Sequence, residues 1–134
     1  MAYGLVIIVT DNNENNSILL KEGAAFQRYC KWFQFIRANA PFYKSMLGKN
    51  GLPEFSTLLR KQGVEWYMSL LRPVMYKFEK KISLDVLANY IVNAHLGLLF
   101  QFLEDDMKYS CEYMASQLTM LTFEGSFSLL KILE

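Results

Sequence analysis

The sequence predicts an all-α fold of about five to six helices, and three observations carry that prediction. From residue 18 to about 39, apolar residues recur mostly at the three- and four-residue steps that line one face of a helix. Residues 91–118 read as a nearly all-apolar helix, a tight polar turn and a second helix opened by Ser110. Between these segments, Gly48-Lys49-Asn50-Gly51, Pro53 and Pro73 punctuate the chain where helices must stop or restart.

Each element follows in order. Residues 1–17 divide into a short β-prone piece and an Asn-rich polar piece, which reads as a flexible or irregular segment ahead of one domain spanning 18–134. The first long helix places Leu19, Leu20, Ala24, Phe26, Tyr29, Trp32, Phe33 and Ile36 along its apolar side, with Gly23 a weak point near its start. Pro41 suits the first turn of a short helix over 42–47, and Gly48 and Gly51 supply residues tolerant of positive φ to end it. Pro53 opens a third helix along Phe55, Leu58, Leu59, Trp66 and Leu70, which Pro73 must kink or stop; residues 74–81 add a turn or two. Ser83 caps the next helix, with Asp85 in its first turn, and that helix runs to about Glu104. Ser110 caps the last main helix, whose apolar line is Cys111, Met114, Leu118 and Leu121 before Gly125 stops it; residues 127–133 form one more short piece.

The helix ending at Glu104 is the most informative element. At 100° per residue, Leu87, Ile91, Ala94, Leu98 and Phe102 form one line, and Val92, Leu96, Leu99 and Leu103 form a second well round the cylinder. The apolar arc is about twice the roughly 100° wedge of an ordinary surface helix. Two buried faces are therefore expected, the second against another copy of the chain or a partner protein.

Bulk properties narrow the function. With 134 residues the chain is the usual size of one domain, and its 52% apolar content favours an oligomer or an apolar cavity over disorder. The net charge of +1 and the dispersed basic residues, densest at Lys77, Lys80 and Lys81, do not build a phosphate-tracking surface. Cys30 and Cys111 lie far apart and read as reduced, buried thiols. The start lacks the basic region of a secretion signal, and the longest apolar run is broken by Asn93, His95 and Gln101, so a soluble cytoplasmic protein is expected.

The residues offer little catalytic chemistry. His95 is the sole histidine and no carboxylate shares its face at helical spacing, so it reads as an interior or interface histidine rather than a catalytic or metal-bound one. Cys30 beside Lys31 has no evident base, and Glu104-Asp105-Asp106 lacks the alternating ligands and glycine of a calcium loop. No cofactor, metal site or catalytic residue is implied. What remains is a population of aromatics and methionines on the helices up to the start of the double-striped one. Most of these are core, but some can line a pocket for a mainly apolar small effector. The pocket expected from them consists of Trp32, Phe35, Trp66, Leu70, Tyr90 and His95.

Two segments carry a family resemblance. Phe42-Tyr43-Lys44-Ser45-Met46-Leu47-Gly48-Lys49-Asn50-Gly51 with Phe55, and Gly97-Leu98-Leu99-Phe100-Gln101-Phe102-Leu103-Glu104 with Met107, Ser110, Glu112, Met114 and Ala115, resemble the effector-binding and dimerisation domain of TetR-type transcriptional regulators. The branch is that of dihydroxyacetone-kinase regulators, and the likeness covers about residues 20–124. Gln101 and Phe102 stand where that branch usually has tryptophans. Such regulators carry a three-helix DNA-binding unit ahead of this region, and the some 17 residues before the first long helix are too few for it. An excised domain, a truncated regulator and a small protein pairing with a full-length relative all fit.

The resemblance implies that the last two long helices pair with their counterparts in a four-helix-bundle homodimer interface, and that a ligand cavity lies among the earlier helices. The interface residues expected are Leu96, Leu99, Phe100, Leu103, Met114, Leu118 and Leu121. Direct contact with nucleic acid or membrane is not expected of this chain. The competing readings are a stand-alone helical protein-interaction module and, resting only on the pocket with His95, Cys30 and the tyrosines, a small enzyme for an apolar substrate.

Overall fold

The computed structural model describes residues 22–77 and 82–126, and all of its regular structure among them is helical. Helix α1 spans Glu22–Ala38, α2 Ala40–Leu47, α3 Pro53–Leu71, α4 Leu84–Glu104 and α5 Cys111–Leu121. A 3₁₀ segment, Arg72–Lys77, follows α3, and a π-helical turn, Thr122–Ser126, follows α5. The irregular segment expected over 1–17, the start of the first helix at 18–21 and the short piece at 127–133 lie outside the described residues.

Local chemistry explains most boundaries. Pro41 and Pro53 occupy the first turns of α2 and α3, where a missing N–H costs nothing. Pro73 ends α3 as an α-helix at Leu71, but the chain tightens into 3₁₀ geometry and continues through it. Ser110 caps α5 as expected, accepting from the backbone N–H of Tyr113 at 3.0 Å.

Three local expectations need correction. Ser83 stands at the N-cap of α4, but its hydroxyl donates to the Asp85 carboxylate instead of accepting from a backbone amide. That hydrogen bond holds the Asp85 carboxyl below its ordinary range. Gly48 and Gly51 do not adopt positive φ. They are needed for close approach: a Cβ on Gly48 would sit 2.6 Å from the Lys44 carbonyl oxygen, and one on Gly51 would overlap that of Met46. Finally, α5 stops at Leu121, and the backbone passes through Gly125 in a π turn.

The helices pack as two pairs, α1 with α5 and α3 with α4, joined by aromatic side chains. Phe33 on α1 meets Phe102 on α4 edge-on at 5.2 Å, and Phe42 and Tyr43 on α2 meet Phe55 on α3. The turn from α4 to α5 is pinned from outside. Asp106 and Met107 hold left-handed φ of 58° and 56°, a region costly for residues other than glycine. Arg37 Nη2 donates to the carbonyls of Met107 (3.1 Å) and Tyr109 (2.7 Å), and Lys44 Nζ pairs with Asp106 at 2.6 Å.

The central correction concerns α4. Leu96, Leu99 and Leu103, expected at the interface, are buried within this chain, as are Val92 of the same line and Leu87, Ile91 and Phe102 of the other. The buried arc is about half the cylinder because α4 is enclosed by α3 on one side and the α1 aromatics on the other. Only Ala94 and the half-buried Leu98 remain at the edge of the outward face. Helix α4 is long and apolar enough to cross a membrane, yet half of its apolar window is buried inside the fold, the position of a core helix.

Candidate functional site

The site grows from the point where α1, α3 and α4 meet. His95 of α4 is 3% exposed and ringed by aromatics: Tyr29 at 5.4 Å and Trp32 at 6.3 Å from α1, and Tyr67 at 5.3 Å from α3, measured between ring centroids. Tyr29 and Tyr67 share a hydrogen bond of 3.0 Å between hydroxyls. Thr122, in the π turn, adds a second to Tyr29. Trp66 packs edge-on against Tyr67 at 4.9 Å, and Leu70 is buried one turn further along α3.

Burial sets the electrostatics of this cluster. Desolvation disfavours every charged form, so the His95 pKa is pushed down to about 3 and the imidazole is neutral at physiological pH. Desolvation likewise pushes the Tyr29 and Tyr67 hydroxyls up, Tyr67 well above its ordinary value. Three polar atoms in the cluster, His95 Nε2, Trp32 Nε1 and Trp66 Nε1, find no hydrogen-bond partner among the described residues. Leaving such a group unpaired costs roughly 1–3 kcal/mol, so three together mark an unusual core.

Above His95 runs a groove of about 360 Å³ between α4 and α5, with walls of Tyr90, Ala94 and Leu98 on one side and Leu118, Leu121 and Gly125 on the other. Among the described residues no charged side chain lines it, and Thr122 adds a hydroxyl. A larger cleft of about 570 Å³ lies at the far end of α4, beside Gly48, Lys49, Phe100 and Glu104. Its polar groups are solvated and its Lys44 is already paired with Asp106, so the His95 groove is the better-built site.

Of the residues expected to line a pocket, Trp32 packs against His95, Trp66 packs against its neighbour Tyr67 and Leu70 is buried on α3, but only His95 and Tyr90 line the groove. Phe35 does not join them, its ring facing Tyr43 at 6.2 Å on the α2 side. Tyr90 is 67% exposed and stands at the rim of the groove, away from the core. Of the expected interface residues, Leu96, Leu99, Leu103, Met114 and Leu118 are sequestered in this chain and have almost no surface to offer a partner. Phe100 faces the larger cleft, and Leu121 alone lies on the shared outer face of α4 and α5.

Of the exposed apolar residues of α4 and α5, Val86, Tyr113 and Met120 were not singled out from the sequence. Val86, Tyr90, Met120 and Leu121 are each more than half exposed, and Tyr113 nearly so. Ala94 and Gly97, one and two turns beyond Tyr90 on α4, are exposed and have no bulky side chain. The charged residues of α4 and α5 are Asp85, Glu104 and Glu112, all at helix ends, so the middle of the face is uncharged. The signal was available: Val86 and Tyr90 are four apart in a helix without a single Lys or Arg.

Burial raises the thiol pKa of Cys30 and of Cys111, and no carboxylate among the described residues is bonded to the neutral imidazole. Among the described residues no group of three or more His, Cys, Asp or Glu side chains could hold a metal ion. Residues 24–124 match the C-terminal region of transcriptional regulators of the TetR type. The chain belongs to that family. No curated protein matches it, and no solved structure does. Membership of the TetR-type C-terminal region makes this a regulatory domain, and the match spans α1 to α5 except the first two residues of α1.

Proposed function

We propose that this TetR-type C-terminal region is an effector-binding and dimerisation domain, in which the outer face of α4 and α5 packs against the same face of a second copy. The uncharged middle of that face carries the reading. Interface cores are depleted of charge and enriched in Tyr and Met, and here Val86 and Tyr90 of α4 and Met120 and Leu121 of α5 are exposed, with the small, exposed Ala94 and Gly97 one and two turns beyond Tyr90. Small residues at the centre allow two helices to approach closely, and two helices from each copy give a four-helix contact.

In this reading the domain is cytoplasmic and has no catalytic step. Effector binding favours one arrangement of the helices, and the arrangement alters the geometry of DNA-binding units carried on another segment or by a partner chain. The described residues supply no such unit. Ala94→Arg tests the pairing, because an unpaired guanidinium in a dry contact costs several kcal/mol while a residue exposed in the single chain tolerates it. The variant is expected to keep its helical circular dichroism and to elute as a monomer by light scattering. A variant that remains dimeric refutes the face. A wild-type chain that is monomeric alone, and acquires a partner only from another protein, favours a heterologous interaction module instead.

A further inference from the structure

We propose that the cleft between the α2–α3 turn and the end of α4 binds a small zwitterion with an apolar body, of the kind of an apolar amino acid. Its carboxylate is held by Lys49, its ammonium by Glu104, and its body by Leu52 and Phe100. The inference rests on the effector-binding reading and adds the place and the chemical class of the effector.

Location comes first. The proposed pairing of two chains covers the α4–α5 groove, so an effector has to enter elsewhere. The cleft is walled mainly by α2, residues 48–52 and the start of α3, which take no part in the pairing face; Phe100, Leu103 and Glu104 close it from α4. Its volume of about 570 Å³ lies within the roughly 300–1,000 Å³ of small-molecule sites.

The lining sets the class. Leu52 is 55% and Phe100 36% exposed, with Met46, Leu47 and Pro53 beside them, so an apolar body seated there takes from water a surface that the single chain leaves wet. The charged lining residues are divided between the walls: Lys44 and Lys49 stand on the side of α2 and its following turn, and Glu104 on that of α4. Lys44 Nζ meets Asp106, two residues past Glu104, at 2.6 Å, so the cationic and anionic walls lie within one ion pair of each other. With Asp106 counted, two cations face two carboxylates. A lone anion or a lone cation entering between them meets like charge on one wall, whereas a zwitterion finds an opposite charge on both. Ser56, the remaining polar side chain of the lining, donates its hydroxyl to the Pro53 carbonyl.

The probes are L-phenylalanine, N-acetyl-L-phenylalanine and L-phenylalaninamide, which share one apolar body and carry both charges, the negative charge alone and the positive charge alone. Binding to the full chain is followed by NMR of ¹³C-labelled methionine methyl groups, with the Met46 signal assigned by Met46→Leu. Pairing of solvated charges is weak, so L-phenylalanine is expected to bind about threefold to fivefold tighter than either derivative and to shift the Met46 signal. The exposed Lys49 and Glu104 tolerate replacement. Lys49→Ala should remove the advantage of L-phenylalanine over L-phenylalaninamide and leave the binding of the amide unchanged. Glu104→Gln should remove its advantage over N-acetyl-L-phenylalanine and leave the binding of that anion unchanged.

Equal binding of the three, or tighter binding of either derivative, overturns the zwitterion and leaves the effector-binding reading intact. So does binding that shifts other methionines and not Met46, because the ligand then sits elsewhere. Binding of none of the three, by a protein whose spectrum shows it folded, overturns both.

Discussion

Leu99→Ala separates the two faces of α4. Leu99 is 1% exposed and belongs to the core of the single chain. Truncation removes buried methyl groups and leaves a cavity that a helix held by α3 and the aromatic cluster cannot readily close. Leu→Ala changes at such sites cost about 2–5 kcal/mol. In a domain stabilised by roughly 5–15 kcal/mol in all, the middle of that range removes a large share of the total. Urea unfolding followed by circular dichroism should show a lower midpoint with an unchanged slope, and the folded variant should keep the oligomeric state of the wild type. A variant with an unchanged midpoint but altered mass would place Leu99 in the interface and refute the assignment of this line to the single-chain core.

Further outcomes follow from the same coordinates. Gly97 has no atom within 4 Å of an added Cβ in the single chain. Gly97→Ala should therefore stabilise α4 by about 1 kcal/mol in the monomeric Ala94→Arg background, yet weaken pairing of the wild type; both are read by urea titration and sedimentation. Arg37→Ala removes two hydrogen bonds to turn carbonyls and the guanidinium stacked over Phe102. Faster amide exchange at residues 105–110 is expected, and unchanged exchange would mean the turn holds itself. Gly51→Ala places a Cβ against the Met46 carbonyl, so a loss of about 1–3 kcal/mol is expected, and a neutral result in urea would contradict that contact. The folded His95 pKa of about 3 lies below the ordinary 6.5. The unfolded chain thus binds the extra proton first, and His95 contributes stability that is complete above about pH 6.5 and lost as pH falls toward 3. His95→Phe should flatten the acid limb of stability in that window.

The helices were legible because their signals are local. Proline at the first turns of α2 and α3, Ser110 at the start of α5 and apolar periodicity along α1 each act within a few residues. What failed depends on distance. The apolar arc of α4 was correctly seen as too wide for a surface helix, but periodicity cannot say which neighbour covers it. Here α3 and α1 cover it from within the chain. Phe35 and Tyr90 share helices with true members of the cluster, yet Phe35 turns to α2 and Tyr90 to solvent, a difference of helix rotation that composition does not encode. Gly48 and Gly51 were read through backbone freedom, whereas their requirement is space beside the carbonyls of Lys44 and Met46. The Tyr29–Tyr67 hydroxyl pair joins residues 38 apart, and only the fold brings it beside His95.

The pairing of the α4–α5 face is tested most directly by sedimentation equilibrium of the unmodified protein over a wide concentration range. The account predicts a species of twice the 15.6 kDa chain mass at micromolar concentration, dissociating on dilution by mass action. A single species at the chain mass throughout that range would contradict it.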